Sequence, residues 1–503
     1  MIVLGLCSCR THFKEYTDSS QLTVKDRKWR EQHLNLDHAL TQTKQLLVSL
    51  IQAKSLNPPG LEQRVVTKLK ERLEAENIDV YEQKIAQNRS NIYAMIKPDL
   101  ALAQAQIAQT KGINRKLKNT LCLLSHSDVV PADSTEWMVD PWAGTIKDGY
   151  IWGRGALDMK GVTALHVSSL IWLKRAMDHG ILKLKRPIAV IVVADEEVSN
   201  LGMKALVNDS RHWDRLGCSH LLNEGAFGIK DLLFKGQNVM PISVGEKGVL
   251  WVKLTAKGPS GHGSVPRLHY APAILLKAIK RIQQREIRPS ISQPLTEMFA
   301  RVGANYGGVS GFVLQRPLLT RWFALNKILS VPESAAGVSN TFHITGFHAA
   351  QGKPNVVPSE ATLTLDIRVL PNHKPQNVLT ELKTLVDDER ISIEVITSIP
   401  SEISGWQDDP IFDALMRQSI RVFPNAVAGP VTSVGFTDST FARQKGVKAY
   451  GWVPFMLHRD ELATMHGPNE RVSLSQLKKG LDATLTMLLE SSAVLIHKSL
   501  VNH

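Results

Sequence analysis

The amino-acid sequence predicts an α/β protein with a mixed, largely parallel sheet, interrupted by a smaller α+β domain. One observation is the apolar run at residues 188–194, which is nearly continuous and β-branched, as in a central strand covered on both faces. A second is the helical periodicity of residues 162–178, which follows a similar apolar run at 121–124. The third is a change after about residue 243 to strands in which apolar and polar residues alternate. Strands alternating with helices imply the parallel sheet, and the later strands imply a second, half-exposed one.

The first part of the chain supplies the elements of the parallel sheet. Helices are predicted at residues 37–55 and 61–76, where apolar residues recur near the helical period, and a short strand follows at 78–80. The polar stretch 104–118 predicts a surface loop. The remaining elements are the strand 121–124, the helix 162–178, and the strands 188–194 and 221–222.

The second part of the chain has the order β-α-β-β-α-β, which is typical of a ferredoxin-like unit. Its elements are the strand 249–256, the helix 271–284, the strands 341–347 and 361–370, the helix 375–386 and the strand 391–397. Residues 287–340 form a long insertion in this order and show no clear pattern. The α/β texture then returns, with helices at about 410–422 and from residue 473.

These changes of texture divide the chain into four segments. Residues 1–30 are an N-terminal tail or a signal-like segment, and 31–243 are the first part of the α/β domain. Residues 244–400 are the inserted domain, and 401–503 complete the α/β domain.

Composition narrows the class of protein. The chain has 503 residues, of which 43% are hydrophobic and 21% charged, and these ordinary values exclude a disordered or fibrous protein. No apolar stretch approaches the roughly 18 residues of a membrane-spanning helix. The net charge of +13 is compatible with binding to a nucleic acid or to an anionic membrane, or with a basic surface that has no such partner. Nucleic-acid binding is not expected, because no binding module or basic run with interleaved aromatic residues is present.

The cysteines and the N-terminus bear on the cellular compartment. Four cysteines are too few and too scattered for a disulfide framework, and Cys122, inside a predicted strand, is expected in the core. The apolar start of the chain carries Cys7 and Cys9 but lacks the basic residues of a signal peptide. We therefore expect a frayed tail, but the sequence leaves the compartment open, and a cytoplasmic protein is the first interpretation. The alternative is a periplasmic or lipid-anchored protein, if this segment belongs to a signal.

Polar residues that suit a metal follow the predicted strands. His126 and Asp128 come after the strand 121–124, and their i, i+2 spacing on an extended segment points both side chains the same way. Glu196 and Glu197 directly follow the most apolar strand, where adjacent carboxylates are costly unless a cation or a proton offsets their charge. Glu224 follows the strand 221–222 in the same way. Since ligands of open α/β sheets bind at the carboxyl ends of the strands, we expect these side chains to converge.

Two further candidates complete this set. Asp158 lies in the glycine-containing segment GRGALDMKG, just before the predicted helix, and His466 lies in MHGPNE near the C-terminus. Taken singly, each feature has an ordinary explanation, such as a helix N-cap for Asp158 or a solvated acidic loop for the paired glutamates. Together, carboxylates and imidazoles suit Zn²⁺, Mn²⁺ or Co²⁺, and one carboxylate could bridge two ions.

The sequence resembles the M20 family of di-metal amidohydrolases and peptidases, most of all its carboxypeptidase S branch and the related N-acyl-amino-acid hydrolases. The matching segments run in the family order: SHSDVVP at 125–131, DPWAGTIKDGYIWGRGALDMKG at 140–161, ADEEVSNLG at 194–202, NEGAF at 223–227, GEKGVLWVKLTAKGPSGHGSVP at 245–266, KPNVVPSEA at 353–361, LDIRVLP at 365–371, GFTDST at 435–440 and MHGPNE at 465–470. The resemblance implies a di-zinc exopeptidase-like catalytic domain, in which the inserted segment 244–400 serves as a lid and dimerisation domain.

The resemblance also assigns two divalent metal ions per chain, with Zn²⁺ expected and Mn²⁺ or Co²⁺ as alternatives. One ion would be held by His126 and Glu224, the other by Glu197 and His466, and Asp158 would bridge both. Asp128 would orient His126 by contacting its ring.

The same resemblance assigns roles in the reaction. Glu196 would be the general base that takes a proton from metal-activated water and passes it to the leaving nitrogen. His262 would stabilise the oxyanion, Arg368 would bind the substrate carboxylate, and Asn355 would contact the substrate. For Asn355, a turn role before Pro358 is the competing interpretation.

The expected function is hydrolysis of an amide or peptide bond next to a free carboxylate. A carboxypeptidase acting on short peptides is the first form of this hypothesis, and an aminoacylase acting on N-acyl amino acids is the second. Both need Arg368 and the same metals, so the sequence leaves them open. The alternative from another class is a non-catalytic binding protein on the same fold. This alternative predicts that one or more of the metal ligands is missing from the sequence. The resemblance further implies a homodimer through the inserted domain, while membrane attachment depends on the N-terminal segment.

Overall fold

The computed structural model describes residues 10–16, 23–98, 119–232, 235–349 and 353–497. Cys7, Cys9 and the loop predicted at 104–118 lie outside the described residues. The chain forms two compact units. The large unit comprises Phe13–Val244, Ser404–Pro430 and Thr437–His503, and the small unit comprises Met1–His12, Gly245–Ile403 and Val431–Phe436.

The large unit contains most of the helices. They are α1 (Val24–His33), α2 (Leu36–Gln52), α3 (Gln63–Glu74), α4 (Lys160–Asp178), α5 (Leu201–Asn208), α6 (Ser210–Leu216), α14 (Pro410–Val422), α15 (Ser439–Gln444), α16 (Arg459–Leu462), α17 (Leu474–Ser492) and a 3₁₀ turn at Ser134–Glu136. The helices α2, α3, α4 and α17 bury their apolar faces in the core of this unit. Residues 24–30, which the sequence assigns to a tail, belong instead to α1, where Trp29 is buried.

An eight-stranded mixed sheet forms the centre of the large unit. Its strands are β1 (Asp79–Ala86), β2 (Arg89–Ile96), β3 (Thr120–His126), β7 (Ile188–Val193), β8 (Cys218–Ile229), β9 (Asn238–Glu246), β16 (Ala426–Ser433) and β17 (Lys448–Leu457). Their order is β1-β2-β7-β3-β8-β17-β9-β16, and the central neighbours β7, β3, β8 and β17 run parallel. Two small sheets join β4 (Thr145–Lys147), β5 (Tyr150–Trp152) and β18 (Arg471–Ser473), and β6 (Leu182–Leu184) with β19 (Ala493–Leu495). The predicted fold class is confirmed.

The central strands are apolar because both of their faces are covered. Every residue of β3 and of β7 is buried, as the continuous apolar runs predict. The predicted core residue Cys122 is buried in β3, and it also forms a disulfide with Cys218 of the neighbouring β8. The two cysteines are 96 residues apart, so their spacing in the sequence does not reveal this bond.

The small unit is an antiparallel sheet with the predicted β-α-β-β-α-β order. Its elements are β10 (Gly248–Lys257), α7 (Ala271–Gln283), β12 (Thr341–His348), β14 (Glu360–Val369), α13 (Pro375–Val386) and β15 (Ile391–Ile399). The strands lie in the order β12-β14-β10-β15, which is the ferredoxin-like arrangement. The same unit also contains a short antiparallel ladder of β11 (Gly261–His262) with β13 (Val356–Val357). The proposed lid and dimerisation roles stay predictions.

The insertion at 287–340, which carries no clear pattern in the sequence, is helical. It contains α8 (Gln293–Tyr306), α9 (Gly308–Leu314), α10 (Pro317–Leu319), a π-helical turn at Thr320–Ala324, α11 (Leu325–Leu329) and α12 (Pro332–Val338). Among the described residues of the whole chain, no helix is both long and apolar enough to cross a bilayer.

Candidate metal centre and catalytic site

His126 ends β3 with its ring held in one orientation. Its Nδ1 lies 3.0 Å from the backbone oxygen of Asp128 and 3.5 Å from Oδ1 of the same residue. Nδ1 therefore donates to the Asp128 carbonyl, and Nε2, once deprotonated, would present its lone pair to a cation in the site. The predicted orienting role of Asp128 thus has a geometric basis, although its backbone oxygen is the nearer partner.

Asp158 lies between two imidazoles. It follows the loop after β5 and precedes α4, and its Oδ1 is 3.1 Å from Nε2 of His126. Its Oδ2 is 3.1 Å from Nε2 of His466. One carboxylate thus presents a different oxygen to each histidine, which is the geometry that a bridging ligand requires.

Three glutamates complete the cluster. Oε2 of Glu197 lies 3.1 Å from Nε2 of His466, and Oε1 of Glu224 lies 3.9 Å from Nε2 of His126. Donor atoms of His126, Asp158 and Glu197 all lie within 4.8 Å of one another, and so do those of His126, Glu196 and Glu224. The structure therefore brings together the five predicted ligands and Glu196.

The cluster carries more negative charge than a buried site tolerates without compensation. Burial raises the pKa of Glu196 and of Glu224 well above the usual value, and the charge of neighbouring carboxylates raises both further. Burial alone would lower the pKa of His126, but hydrogen bonds to Asp128 and Asp158 raise it well above the usual value. Both effects mark a place where positive charge is stabilised.

These residues fit divalent cations. Oxygen and imidazole nitrogen donors from one cluster match the ligands of Zn²⁺, Mn²⁺ and Co²⁺. Oε1 of Glu197 is buried and has no hydrogen-bond partner among the described residues, as expected for an oxygen that faces a metal. His126 and Glu224 would hold one ion, Glu197 and His466 the other, with Asp158 shared.

A buried polar network behind the cluster was not predicted from the sequence. Asn57 donates from Nδ2 to Asp128 Oδ2 and to Asp195 Oδ1, both at 2.8 Å, and Arg89 also pairs with Asp195. The oxygens of Asp128 in turn accept the backbone N–H groups of Glu196 at 3.1 Å and Glu197 at 3.2 Å. Asp128 therefore fixes the glutamate pair as well as His126. Asn57 and Arg89 lie in segments without any sequence signal for a site.

A second buried group joins the segments that carry Asp158 and His466. Glu470 accepts the backbone N–H groups of Gly155, Leu157 and Asp158 at 2.8, 2.8 and 3.0 Å. It also accepts Nη1 of Arg154 at 2.8 Å. Nη2 of Arg154 donates to the carbonyls of Gly467 at 3.0 Å, His466 at 3.3 Å and Pro131 at 3.4 Å. Both residues occur in the quoted motifs, but their pairing across 316 residues is not readable from the sequence.

His262 and Asn355 are neighbours in the small unit. The backbone N–H of Gly263 donates to the carbonyl of Asn355 at 2.7 Å, beside the β11–β13 ladder. The ring of His262 is exposed, and its Nδ1 accepts the backbone N–H of Ser264 at 3.2 Å. Nδ1 also lies 2.7 Å from Oγ of Ser264. In the tautomer that accepts both contacts, the ring carries its proton on Nε2, the atom that would donate to an oxyanion. Asn355 is held through its backbone, which also fits the turn interpretation.

Arg368 lies on β14 of the small unit and is already ion-paired. Its Nε and Nη2 donate to Oδ1 and Oδ2 of Asp366 at 2.8 and 3.0 Å. This ion pair uses Nε and Nη2 and does not engage Nη1. The structure therefore shows an oriented arginine with a competing carboxylate, and its predicted role stays a prediction.

A mixed sheet with histidines and carboxylates clustered beside its parallel strands is typical of a metal-dependent hydrolase. The chain belongs to peptidase family M20/M25/M40, whose pattern matches residues 122–490. The predicted resemblance is thereby confirmed, and so is the prediction of a metal-dependent enzyme of this class.

Named relatives and solved structures agree with this assignment. The human N-fatty-acyl-amino acid synthase/hydrolase PM20D1 is 29% identical over 368 residues, which cover 70% of each chain. The probable carboxypeptidase S-like 2 of Dictyostelium discoideum is 26% identical, covering 78% of this chain and 75% of its own. The crystal structure of the M20 metallo-carboxypeptidase Sso-CP2 of Sulfolobus solfataricus shares the fold, with a TM-score of 0.63, 20% identity and coverage of 89% and 98%.

Proposed function

We propose that this M20 hydrolase cleaves an amide bond adjacent to a free carboxylate, with two divalent cations bound. The observation that carries the proposal is Asp158, whose two oxygens lie 3.1 Å from His126 and from His466. Cations held there would polarise the amide carbonyl and lower the pKa of a water molecule from 15.7 toward about 7.

Glu196 is the proposed general base. Its carboxylate lies within 4.8 Å of the donor atoms of His126 and Glu224, and its backbone N–H is fixed by Asp128 at 3.1 Å. A carboxylate oxygen of Glu196 takes a proton from the attacking water and delivers it to the leaving nitrogen. Glu197 supplies the neighbouring ligand oxygen, so the two adjacent glutamates divide the roles of base and ligand.

Two substrate classes are compatible with this site. The carboxypeptidase S-like relative supports a peptide substrate, and the relative named N-fatty-acyl-amino acid synthase/hydrolase supports an N-acyl amino acid. In both, Arg368 binds the substrate carboxylate and His262 donates from Nε2 to the oxyanion. Identities of 26% and 29% do not separate the two classes.

Matched variants test the assignment of base and ligand. We expect Glu196→Gln to bind the same amount of metal as the unmodified enzyme and to lose amide hydrolysis by a factor of about 10² to 10⁴. Glu197→Gln, the adjacent control, loses bound metal as well as activity. Elemental analysis after gel filtration and a hydrolysis panel of N-acyl amino acids and dipeptides, with added Zn²⁺, Mn²⁺ or Co²⁺, give the two readouts. Normal turnover by Glu196→Gln would sink the general-base assignment.

A further inference from the structure

The helical insertion of the small unit exposes an unusual amount of aromatic and aliphatic surface. Trp322 is 79% exposed and Phe323 74% exposed, on the π-helical turn. On the preceding helices, Val309 is 81% and Leu318 50% exposed, and the ring of Phe312 is also exposed. Soluble proteins rarely leave such a group uncovered, and apolar patches of this kind mark interaction surfaces. We call these five residues the apolar patch.

The elements that carry the apolar patch are tied together. The hydroxyl of Thr320, on the π-helical turn, donates to the carbonyl of Val313 in α9 at 2.9 Å. Arg316 donates to the carbonyl of Phe312 at 3.0 Å, and its guanidinium stacks over the Phe312 ring at 3.5 Å. The patch is therefore part of a folded helical layer with a cation set against one of its rings.

The charged residues of the chain segment that carries the apolar patch have one sign. Residues 302–332 contain Arg316, Arg321 and Lys327 but not a single aspartate or glutamate. Arg321 and Lys327 are exposed beside Trp322 and Phe323. Tryptophan, phenylalanine and leucine combined with arginine and lysine are the composition of surfaces that lie in the interface of an anionic bilayer.

This positive charge argues against a second copy of the chain as the partner that covers the apolar patch. In a two-fold interface the same patch meets itself, so the three basic residues would face their own copies with no acidic residue of the segment to pair with. Anionic lipid headgroups supply the opposite charge, and acyl chains accommodate the aromatic side chains.

The start of the chain approaches the same place. The backbone N–H of Thr11 donates to the carbonyl of Gln315, at the C-terminal end of α9, at 2.9 Å. The sequence before Arg10, MIVLGLCSC, is apolar and uncharged. Thr11, two residues after this apolar stretch in the sequence, is therefore hydrogen-bonded to the helical layer that carries the patch.

We propose that Val309, Phe312, Leu318, Trp322 and Phe323, with Arg321 and Lys327, form a surface that rests on an anionic lipid membrane. The protein lies on the bilayer through this helical layer. The inference does not rest on the proposed substrate or on the catalytic roles, because its test measures binding alone.

The test is co-sedimentation of the full-length metal-loaded enzyme with vesicles of phosphatidylcholine alone or with phosphatidylglycerol added. We expect binding to the anionic vesicles that weakens with salt. Arg321→Gln/Lys327→Gln should lower the partition coefficient about thirtyfold, since each basic residue near the surface is worth about 1 kcal/mol. Trp322→Ser/Phe323→Ser should lower it at least about tenfold through lost apolar burial.

A matched control lies on α7 of the same unit. Leu276→Ser/Lys277→Gln removes one exposed apolar and one exposed basic residue outside the insertion, and it should bind vesicles as the unmodified protein does. All replaced side chains are exposed, so the variants are expected to fold, and circular dichroism checks this.

Four outcomes would overturn the proposal. The first is no binding of the unmodified protein to either vesicle, and the second is equal binding by the patch variants and the control. A third is a change in oligomeric state, without a change in vesicle binding, for Trp322→Ser/Phe323→Ser, which would make a second copy the occupant. A fourth is vesicle binding that appears only after residues 1–9 are deleted, which would make that segment the cover of the patch.

Discussion

Replacement of Glu470 by glutamine tests whether this buried carboxylate positions the proposed metal ligand Asp158. The carboxylate of Glu470 is fully buried, and each of its oxygens accepts two hydrogen bonds. Oε1 accepts from Leu157 and Asp158, and Oε2 accepts from Gly155 and Arg154. Glutamine has the same size but only one oxygen, so two of these four donors must face an NH₂ group.

The expected loss follows from this count. Each buried donor left without an acceptor costs about 1–3 kcal/mol, and removal of one partner from a buried ion pair costs about 3–5 kcal/mol in total. Arg154 keeps its bonds to three backbone carbonyls, so we expect the free energy of unfolding to fall by about 3–5 kcal/mol. Because Glu470 fixes the backbone of Asp158, metal affinity should fall as well, by about 10- to 100-fold.

The assay therefore has two readouts, thermal unfolding of the metal-free protein and the metal dissociation constant from chelator competition. Glu490→Gln is the matched control, since Glu490 is also a buried glutamate paired with an arginine, Arg417, but it joins α14 to α17. Glu490→Gln should lose stability and keep its metal affinity. If Glu470→Gln loses stability but binds metal as tightly as the unmodified protein, Glu470 does not position Asp158 and the reasoning is refuted.

Two further predictions concern stability. Burial alone would raise the pKa of Asp409, but hydrogen bonds from His220 at 3.0 Å and Lys448 at 2.7 Å hold it well below the usual range. Asp409→Asn, which can still cap α14, should therefore lower stability by about 1–2 kcal/mol above pH 5. Denaturant titrations should show this difference shrinking as the pH falls below about 4, toward the depressed folded pKa, and a pH-independent difference would contradict it. Peptide mapping without reductant should recover the Cys122–Cys218 pair. Because this disulfide closes a loop of 96 residues, Cys122→Ala/Cys218→Ala should lower the free energy of unfolding by about 2–4 kcal/mol. Free thiols at both positions in the native protein would rule out the bond.

The sequence was most informative where one element determines its own structure. The run at 188–194 is apolar enough to show that both faces are covered, and the glutamates after it mark a strand end. By contrast, β9 and β17 were not predicted, because Pro241 and Pro454 interrupt their patterns and proline removes a ladder hydrogen bond. The helical insertion was missed because its apolar residues are partly exposed and therefore do not follow the period of a buried face.

For the site, sequence reasoning identified the side chains of the candidate metal centre but not the residues that hold them in place. His126 is the last residue of β3, and Glu224 lies within β8, which extends beyond the predicted strand 221–222. Because β3 and β8 are parallel neighbours and both residues belong to motifs, their convergence is a consequence of the sheet topology. Arg154 and Glu470 meet across 316 residues, and no local pattern encodes such a contact. The supporting network is therefore a product of the tertiary fold, which brings together residues that are far apart in the sequence.

The position of Asn57 shows why the segment before residue 122 matters to the chemistry. The family pattern begins at residue 122, yet Asn57 holds Asp128 and Asp195 together at 2.8 Å each. Two buried carboxylates that share one amide would repel each other without it, and Arg89, also from the earlier segment, pairs with Asp195. Because Asp128 fixes both His126 and the backbone of the glutamate pair, displacement of Asn57 would move a ligand and the proposed base together. The turn that carries Asn57 and the start of β2 that carries Arg89 thus belong to the network that sets the geometry of the candidate metal centre.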